Sequence, residues 1–252
     1  LNTITDAGAP TSANDVLTFT KQLFNQAIKN HTIIHNPASA FDITDAGGSE
    51  SKRQRFLTEG EIVSLFSAMN ESEKFTRQHY LITKLLLLLG CRKGELFKAK
   101  RSDFDLTGAT WTMSVDNKTE SALTIPLVAS ALAIVSELLH FQVEDNIYLL
   151  PSRGKRDGAG GHIEISFLNK PIKNNLPPIM GFSDFTIHDL RRTMRTHLGK
   201  LGVDRFVAER CLNHTIPNME GVYDAGDYLP ERREALKLWS EFLEQCEARA
   251  LR

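Results

Sequence analysis

Three short segments hold the side chains whose types and spacing could do chemistry. In Gly90-Cys91-Arg92-Lys93-Gly94-Glu95-Leu96 an arginine sits just past a helix end on a glycine-flanked turn, with an acid three residues later. In His188-Asp189-Leu190-Arg191 a histidine and an arginine lie three apart on an expected helix and share a face. Leu212-Asn213-His214 supplies a further histidine, and Tyr223 follows it by nine residues. Guanidinium groups stay charged at every relevant pH and grip anionic oxygens bidentately, and a tyrosine can serve as a nucleophile. Singly, each segment has a bland explanation. An Arg before a Glu is usually a surface ion pair, a His/Arg pair one turn apart is usually a solvated face, and a Tyr in a polar segment usually packs its ring and wets its hydroxyl.

The elements that must position these groups follow from periodicity and punctuation. Residues 1–13 are small and polar and are expected to be disordered. Val16, Phe19, Leu23, Ala27 and Ile28 recur at helical spacing, which predicts an amphipathic helix ending before Asn36-Pro37. Residues 42–55 contain Gly47-Gly48-Ser49 and Lys52-Arg53-Gln54-Arg55 and form the best linker candidate. Thr58 and Glu61 have capping-box spacing, so a helix should start near residue 59, with Ile62, Leu65, Phe66 and Met69 on one face. A buried helix is expected from about Thr76 to Leu89, stopping at Gly90. The pattern turns β-like over 110–114 and 123–126, a small hairpin joined by a polar stretch that contains Lys118. Further helices are expected over 130–140, 166–174, 187–201, 204–212 and 230–249. Residues 152–162, with Arg153, Lys155, Arg156, Gly158, Gly160 and Gly161, look like a mobile basic loop. The fold class is mainly α with a small antiparallel β-sheet.

Composition narrows the field. With 252 residues, 41% apolar and 24% charged, the chain can bury one substantial core and is not a disordered polymer. Its longest apolar run, residues 85–89, is far below the roughly 20 residues needed to span a bilayer. Three distant cysteines (Cys91, Cys211, Cys246) give no disulfide framework, so a reducing, cytoplasmic setting is the default. Cys211-x-x-His214 has metal-like spacing but lacks partners for the roughly four ligands of a zinc site. The net charge of −1 conceals a division: residues 92–219 carry 17 basic and 14 acidic side chains, and residues 220–252 carry 5 and 8. A mildly basic middle fits a phosphate-facing surface beside an acidic tail. The first residue is Leu and no signal segment follows, so the sequence is expected to be a trimmed piece.

Taken together, in order and spacing, residues 58–223 resemble the catalytic domain of the tyrosine recombinases, the phage integrase family, and especially integrases of phage satellites and genomic islands. The resemblance implies a mostly helical catalytic domain over 56–252, with residues 1–41 as the end of a preceding core-binding domain. It matches Arg92 to the first arginine, Glu95 to the supporting acid, Lys118 to the hairpin lysine, and His188 and Arg191 to the His-x-x-Arg pair. His214 matches the third-motif histidine and Tyr223 the nucleophile. The third motif reads Leu-Asn-His where Leu-Gly-His is usual. Asn213 therefore stands where a positive φ is common, a region that Asn tolerates better than most residues.

What the resemblance implies chemically is strand cutting and rejoining through a 3′-phosphotyrosine, which integrates or excises a mobile element at DNA attachment sites. A tyrosine can store the phosphodiester bond energy as a covalent ester. Its phenol has a reference pKa of about 10 and needs a base or a positive field. Arg92 and Arg191 would stabilise the charge that gathers on the non-bridging oxygens, and Lys118 would protonate the departing 5′ oxygen. His188 would transfer a proton or orient the phosphate, and His214 would bond a non-bridging oxygen. No divalent metal or other cofactor is needed, because the arginines supply the charge. Lys93, Arg153, Lys155, Arg156, Arg192 and Arg195 are candidate DNA contacts, although Arg195 equally suits a structural ion pair.

The partners implied are double-stranded DNA, other copies of the chain in a tetrameric synapse, and DNA-bending accessory proteins, but no membrane. Tyr228, 14 residues after His214, is the rival nucleophile. His197 is expected to be an ordinary core or surface histidine. A type IB topoisomerase-like relaxase and a non-catalytic DNA-binding regulator are the competing functions. Pro230 suits the first turn of a last helix, whose stripe of Ala235, Leu238, Trp239, Phe242, Leu243 and Cys246 could pack at home. The family pattern suggests instead docking on a neighbouring protomer, and both arrangements stay open.

Overall fold

Helix start signals decide most of the architecture, and they are borne out by side-chain geometry. In this computed structural model, which describes all residues except 51–52, 114–122, 142, 144, 153–160 and 214–227, the chain divides into two units, residues 1–54 and 55–252. Arg55 thus belongs with the second unit rather than with the 42–55 linker.

In the first unit, α1 (Asn2–Asp6) occupies part of the stretch expected to be disordered, and α2 (Pro10–Lys29) starts six residues before its expected first apolar position. Pro10 at the first turn loses no hydrogen bond there, which explains the early start. The buried side of α2 is Ala13, Asn14 and Leu17, not the expected stripe: Phe19 is 69% exposed and Leu23 68%. Asn14 explains the difference. Its amide nitrogen donates to the Gly48 carbonyl and the Glu50 carboxylate, both at 3.0 Å, and its oxygen accepts from the Gly47 N–H at 2.8 Å. This fastens residues 47–50 to the first half of the helix. Gly47 lies so close to the Pro10 carbonyl that a Cβ would overlap it.

In the second unit, Thr58 caps α3 (Glu59–Glu71), and Thr76 caps α4 (Arg77–Leu89). Helix α4 is buried along nearly its whole length and ends at Gly90 in the left-handed region, φ 59°. A short α5 (Lys93–Phe97), which the periodicity did not predict, follows directly. Strands β1 (Phe104–Asp105), β2 (Thr110–Met113) and β3 (Leu123–Pro126) form an antiparallel sheet in that order. Trp111 pairs with Phe104 on one side and Ile125 on the other. The inward residues Phe104, Trp111, Met113 and Ile125 are buried, while Thr112 faces out. The expected hairpin is present; its polar connection lies outside the described residues.

Next come α6 (Ala129–Leu139), α7 (Asn169–Asn175), α8 (Pro177–Met180), α9 (Ile187–Lys200), α10 (Arg205–Cys211) and α11 (Leu229–Ala250). Helix α9 packs on α4, and α11 packs on α3, α4, α9, α10 and β3 of the same chain. Its buried face is Arg232, Ala235, Leu236, Trp239, Ser240, Leu243 and Cys246, and Trp239 donates from Nε1 to the Leu87 carbonyl at 3.0 Å. Glu247 accepts from Lys84 at 2.5 Å and from the Tyr80 hydroxyl. Leu238, expected in the apolar stripe, is 46% exposed. In the single chain, α11 thus packs at home.

The start of the second unit is tied to α9. Leu57 is fully buried; its N–H donates to Thr193 Oγ1 at 2.8 Å, and its carbonyl accepts from His197 Nε2 at 2.8 Å. The Thr193 hydroxyl donates in turn to the Asp189 carbonyl at 2.7 Å. Two side chains one turn apart thus take both polar groups of one backbone residue.

Candidate active site

Arg92 precedes the first turn of α5, and Glu95 in that turn holds it twice. One carboxylate oxygen of Glu95 accepts from the Arg92 N–H at 2.7 Å, and the other accepts from Arg92 Nη1 at 2.7 Å. A carboxylate at a helix N-terminus is electrostatically favoured and here also aims the guanidinium. The Arg92 side chain keeps 29% exposure, open to an incoming anion.

Arg191 lies on the second turn of α9 and is 5% exposed. Its Nη1 donates to the Gly90 carbonyl at 2.6 Å, and its Nη2 donates to the Leu212 carbonyl. One guanidinium therefore bridges the end of α4, two residues before Arg92, and the end of α10, two residues before His214. Burial first, and then the charge of Arg92, pull the Arg191 pKa down to about 10. Arg191 remains a cation at neutral pH while the two like charges are held in mutual range.

His188 is exposed on the first turn of α9. Partial desolvation of its ring, followed by the charges of Arg192, Arg191 and Arg92, holds its pKa below the ordinary histidine value. At neutral pH it is an uncharged imidazole beside three guanidiniums, able to accept a proton. Buried Asp189 anchors that end of the helix: it accepts from the Thr186 N–H at 2.8 Å, from the Thr186 hydroxyl at 2.9 Å and from Arg192 at 2.6 Å.

The site thus gathers Arg92, Glu95, His188 and Arg191 from segments about a hundred residues apart. Asn213 adopts φ 53°, the left-handed conformation its place in the third motif suggested. Lys118, Arg153, Lys155, Arg156, His214 and Tyr223 lie outside the described residues. Of the candidate DNA contacts, Arg192 pairs with Asp189, and Arg195 pairs with Glu209 at 2.8 Å. Lys93 donates from Nζ to Asn169 at 2.9 Å. Tyr228, the rival nucleophile, is half-buried and meets Phe206 edge-on at 5.3 Å between ring centres. His197 is a core histidine that stacks on Trp239. The Cys91 thiol is buried, and burial pushes its pKa up. Among the described residues no cluster of His, Cys, Asp or Glu could hold a metal ion. No helix described is long and apolar enough to cross a membrane.

Sequence reasoning missed Gly90 as anything more than a helix stop. Its positive φ follows from its place at a helix end, but its contacts come from α9 and α10 and leave no local signal.

A mostly helical domain with a small antiparallel sheet is the class of fold, and comparison with known families places the chain within it. The Phage integrase family model matches residues 55–228, and the chain belongs to that family. It is 25% identical over 212 residues to the tyrosine recombinase XerC of Bacillus pumilus (strain SAFR-032), covering 81% of this chain and 66% of that protein. It is 29% identical over 171 residues to the putative integrase/recombinase y4rC of Sinorhizobium fredii (strain NBRC 101917 / NGR234), covering 67% of this chain and 51% of that one. The chain therefore spans about half to two-thirds of the length of these relatives. Among solved structures it shares its fold with a lambda integrase tetramer bound to a Holliday junction (TM-score 0.61, 20% identity, 89% of this chain and 65% of that chain). It likewise shares its fold with the Tn1549 transposon integrase in complex with circular intermediate DNA (TM-score 0.60, 16% identity, 91% and 81%).

Proposed function

We propose that this chain is the strand-cutting part of a site-specific DNA recombinase that integrates or excises a mobile element. Tyr223 attacks a backbone phosphate and forms a 3′-phosphotyrosine; the 5′ oxygen leaves with a proton from Lys118. The 5′ hydroxyl of another strand then attacks the phosphotyrosine and restores a phosphodiester, so no hydrolysis occurs. Arg92 and Arg191 stabilise the charge on the non-bridging oxygens, with His214 donating alongside them. His188, kept neutral, takes a proton or orients the phosphate. Double-stranded attachment sites are the substrate, and a tetramer of this chain on two sites is the working assembly, with DNA-bending proteins as accessories. The chain works where DNA is, at the bacterial nucleoid.

One observation supports this above the rest. Arg92, from the turn before α5, and His188 and Arg191, from α9, reach one another's electrostatic range, and Arg191 is held by carbonyls flanking both other motifs. Such a preorganised arginine pair, one buried and one open to an anion, suits a developing phosphorane.

The test is denaturing electrophoresis of the protein with a labelled, nicked suicide substrate. The native chain should form a covalent adduct that persists in excess EDTA, and Tyr223→Phe should abolish the adduct while leaving DNA affinity nearly unchanged. An adduct retained by Tyr223→Phe would transfer the role to Tyr228. Relaxation of supercoiled plasmid without recombinant junctions would favour a type IB relaxase, and binding without any adduct would favour a regulator.

A further inference from the structure

At Gly90 three elements meet. Its N–H closes α4 on the Leu86 carbonyl at 3.0 Å, and its carbonyl accepts from Arg191 at 2.6 Å. Its missing side chain leaves space that its neighbours fill: a Cβ here would overlap the Met194 sulfur and would stand 2.7 Å from Leu212 Cδ2. Met194 is fully buried on α9, one turn beyond Arg191; Leu212 is 1% exposed at the end of α10. The same guanidinium that holds Gly90 also holds the Leu212 carbonyl. Polar and apolar contacts therefore close on one point from α9 and α10 together.

We propose that Gly90, Met194 and Leu212 form with Arg191 a clamp that fixes the spacing between the turn carrying Arg92 and the turn leading to His214 before DNA binds. Gly90 is its positioning residue, and the inference rests on the recombinase function proposed above. Two demands meet at that position. The backbone must turn left-handed at the end of α4, where a Cβ is unfavourable. The Cα must also lie against two side chains in a close-packed interior, which does not give way to an added methyl without moving its neighbours. Arg92 begins two residues later and His214 two residues after Leu212, so a displacement of the junction is passed to both. A misplacement of about 1 Å in reacting groups lowers rates by roughly 10²-fold.

The experiment compares Gly90→Ala, Met194→Ala, the double variant and Arg191→Lys with the native chain. Suicide-substrate cleavage at saturating DNA, DNA affinity, and amide hydrogen exchange by segment are measured for each. Gly90→Ala should lower cleavage by roughly 10²-fold with affinity held within about twofold, and should speed exchange at residues 86–97 and 205–213 together. Met194→Ala added to it removes the nearer overlap, that with the Met194 sulfur, and leaves only the Leu212 side-chain end to shift, so it should restore at least about tenfold of the rate. Arg191→Lys keeps a charge but cannot reach both carbonyls, so it should loosen the same two segments regardless of activity. Native cleavage by Gly90→Ala would overturn the proposal. So would loss of activity that Met194→Ala fails to relieve, or exchange in Arg191→Lys that rises in neither segment. If Gly90→Ala does not fold, Arg191→Lys decides by exchange alone. If the native chain forms no adduct with any DNA, the recombinase function fails while the exchange measurements still decide the clamp.

Discussion

Glu95 shows how much of an arginine's aim comes from its neighbour. Its two oxygens hold the backbone N–H and the guanidinium of Arg92, so the side chain points before any phosphate arrives. Glu95→Ala should lower cleavage roughly tenfold to a hundredfold with little change in DNA affinity, since the charge stays and only its direction is lost. Glu95→Gln, which can still accept from one partner, should lose less; suicide-substrate rates for the two variants check the order. At this scale residue type was the legible part: Arg92, His188 and Arg191, singled out in the sequence, fold into one another's electrostatic range. What stayed hidden was the support. No local pattern marks the Leu57 backbone as the partner of both Thr193 and His197, because all three meet only after folding.

Among the elements, capped helices were read closely, since Thr58 with Glu61 and Thr76 before an apolar run carry their own start signals. Short pieces were not. Helix α5 has five residues and is capped by the Glu95 carboxylate, and β1 has two residues that pair with β2. Helix α2 was recognised as a helix, but its buried side is set by Asn14 rather than by its apolar stripe. Helix α11 is the element with the largest consequence. It buries Leu236, Trp239 and Leu243 on its own domain, and each such side chain contributes about 1.5–3 kcal/mol. Their sum is comparable with the ~5–15 kcal/mol that holds a typical domain together. A chain ending at residue 228 should therefore lose its cooperative melting transition and bind a hydrophobic dye, measured by circular dichroism and fluorescence. A sharp transition at the native temperature would show that α11 is dispensable to the fold and free to dock elsewhere.

For the whole second unit, acid is the expected weak point. Burial holds His79, His188 and His197 below the ordinary histidine value. The unfolded chain takes up protons near the reference pKa of about 6.5 while the folded chain does not. For bases with depressed folded-state values, stability is complete above the unfolded pKa and falls as pH drops below it. Denaturant midpoints should be level from about pH 8 to 7 and should decline below about 6.5, well before carboxylates protonate; a midpoint unchanged to pH 5 would contradict this. The other property of the whole unit is where it begins. Arg55 bonds Glu61 at 3.0 Å and the Asp184 carbonyl at 2.8 Å, and Leu57 gives both backbone groups to α9. A protease that nicks the chain upstream of Arg55 leaves those bonds whole. One that cuts just after Leu57 releases the segment and leaves the buried His197 ring without its Leu57 partner, at about 1–3 kcal/mol for such a group. Limited digestion should thus yield a resistant fragment whose N-terminus lies at or before Arg55, an edge drawn by hydrogen bonds that reach the helix of His188 and Arg191.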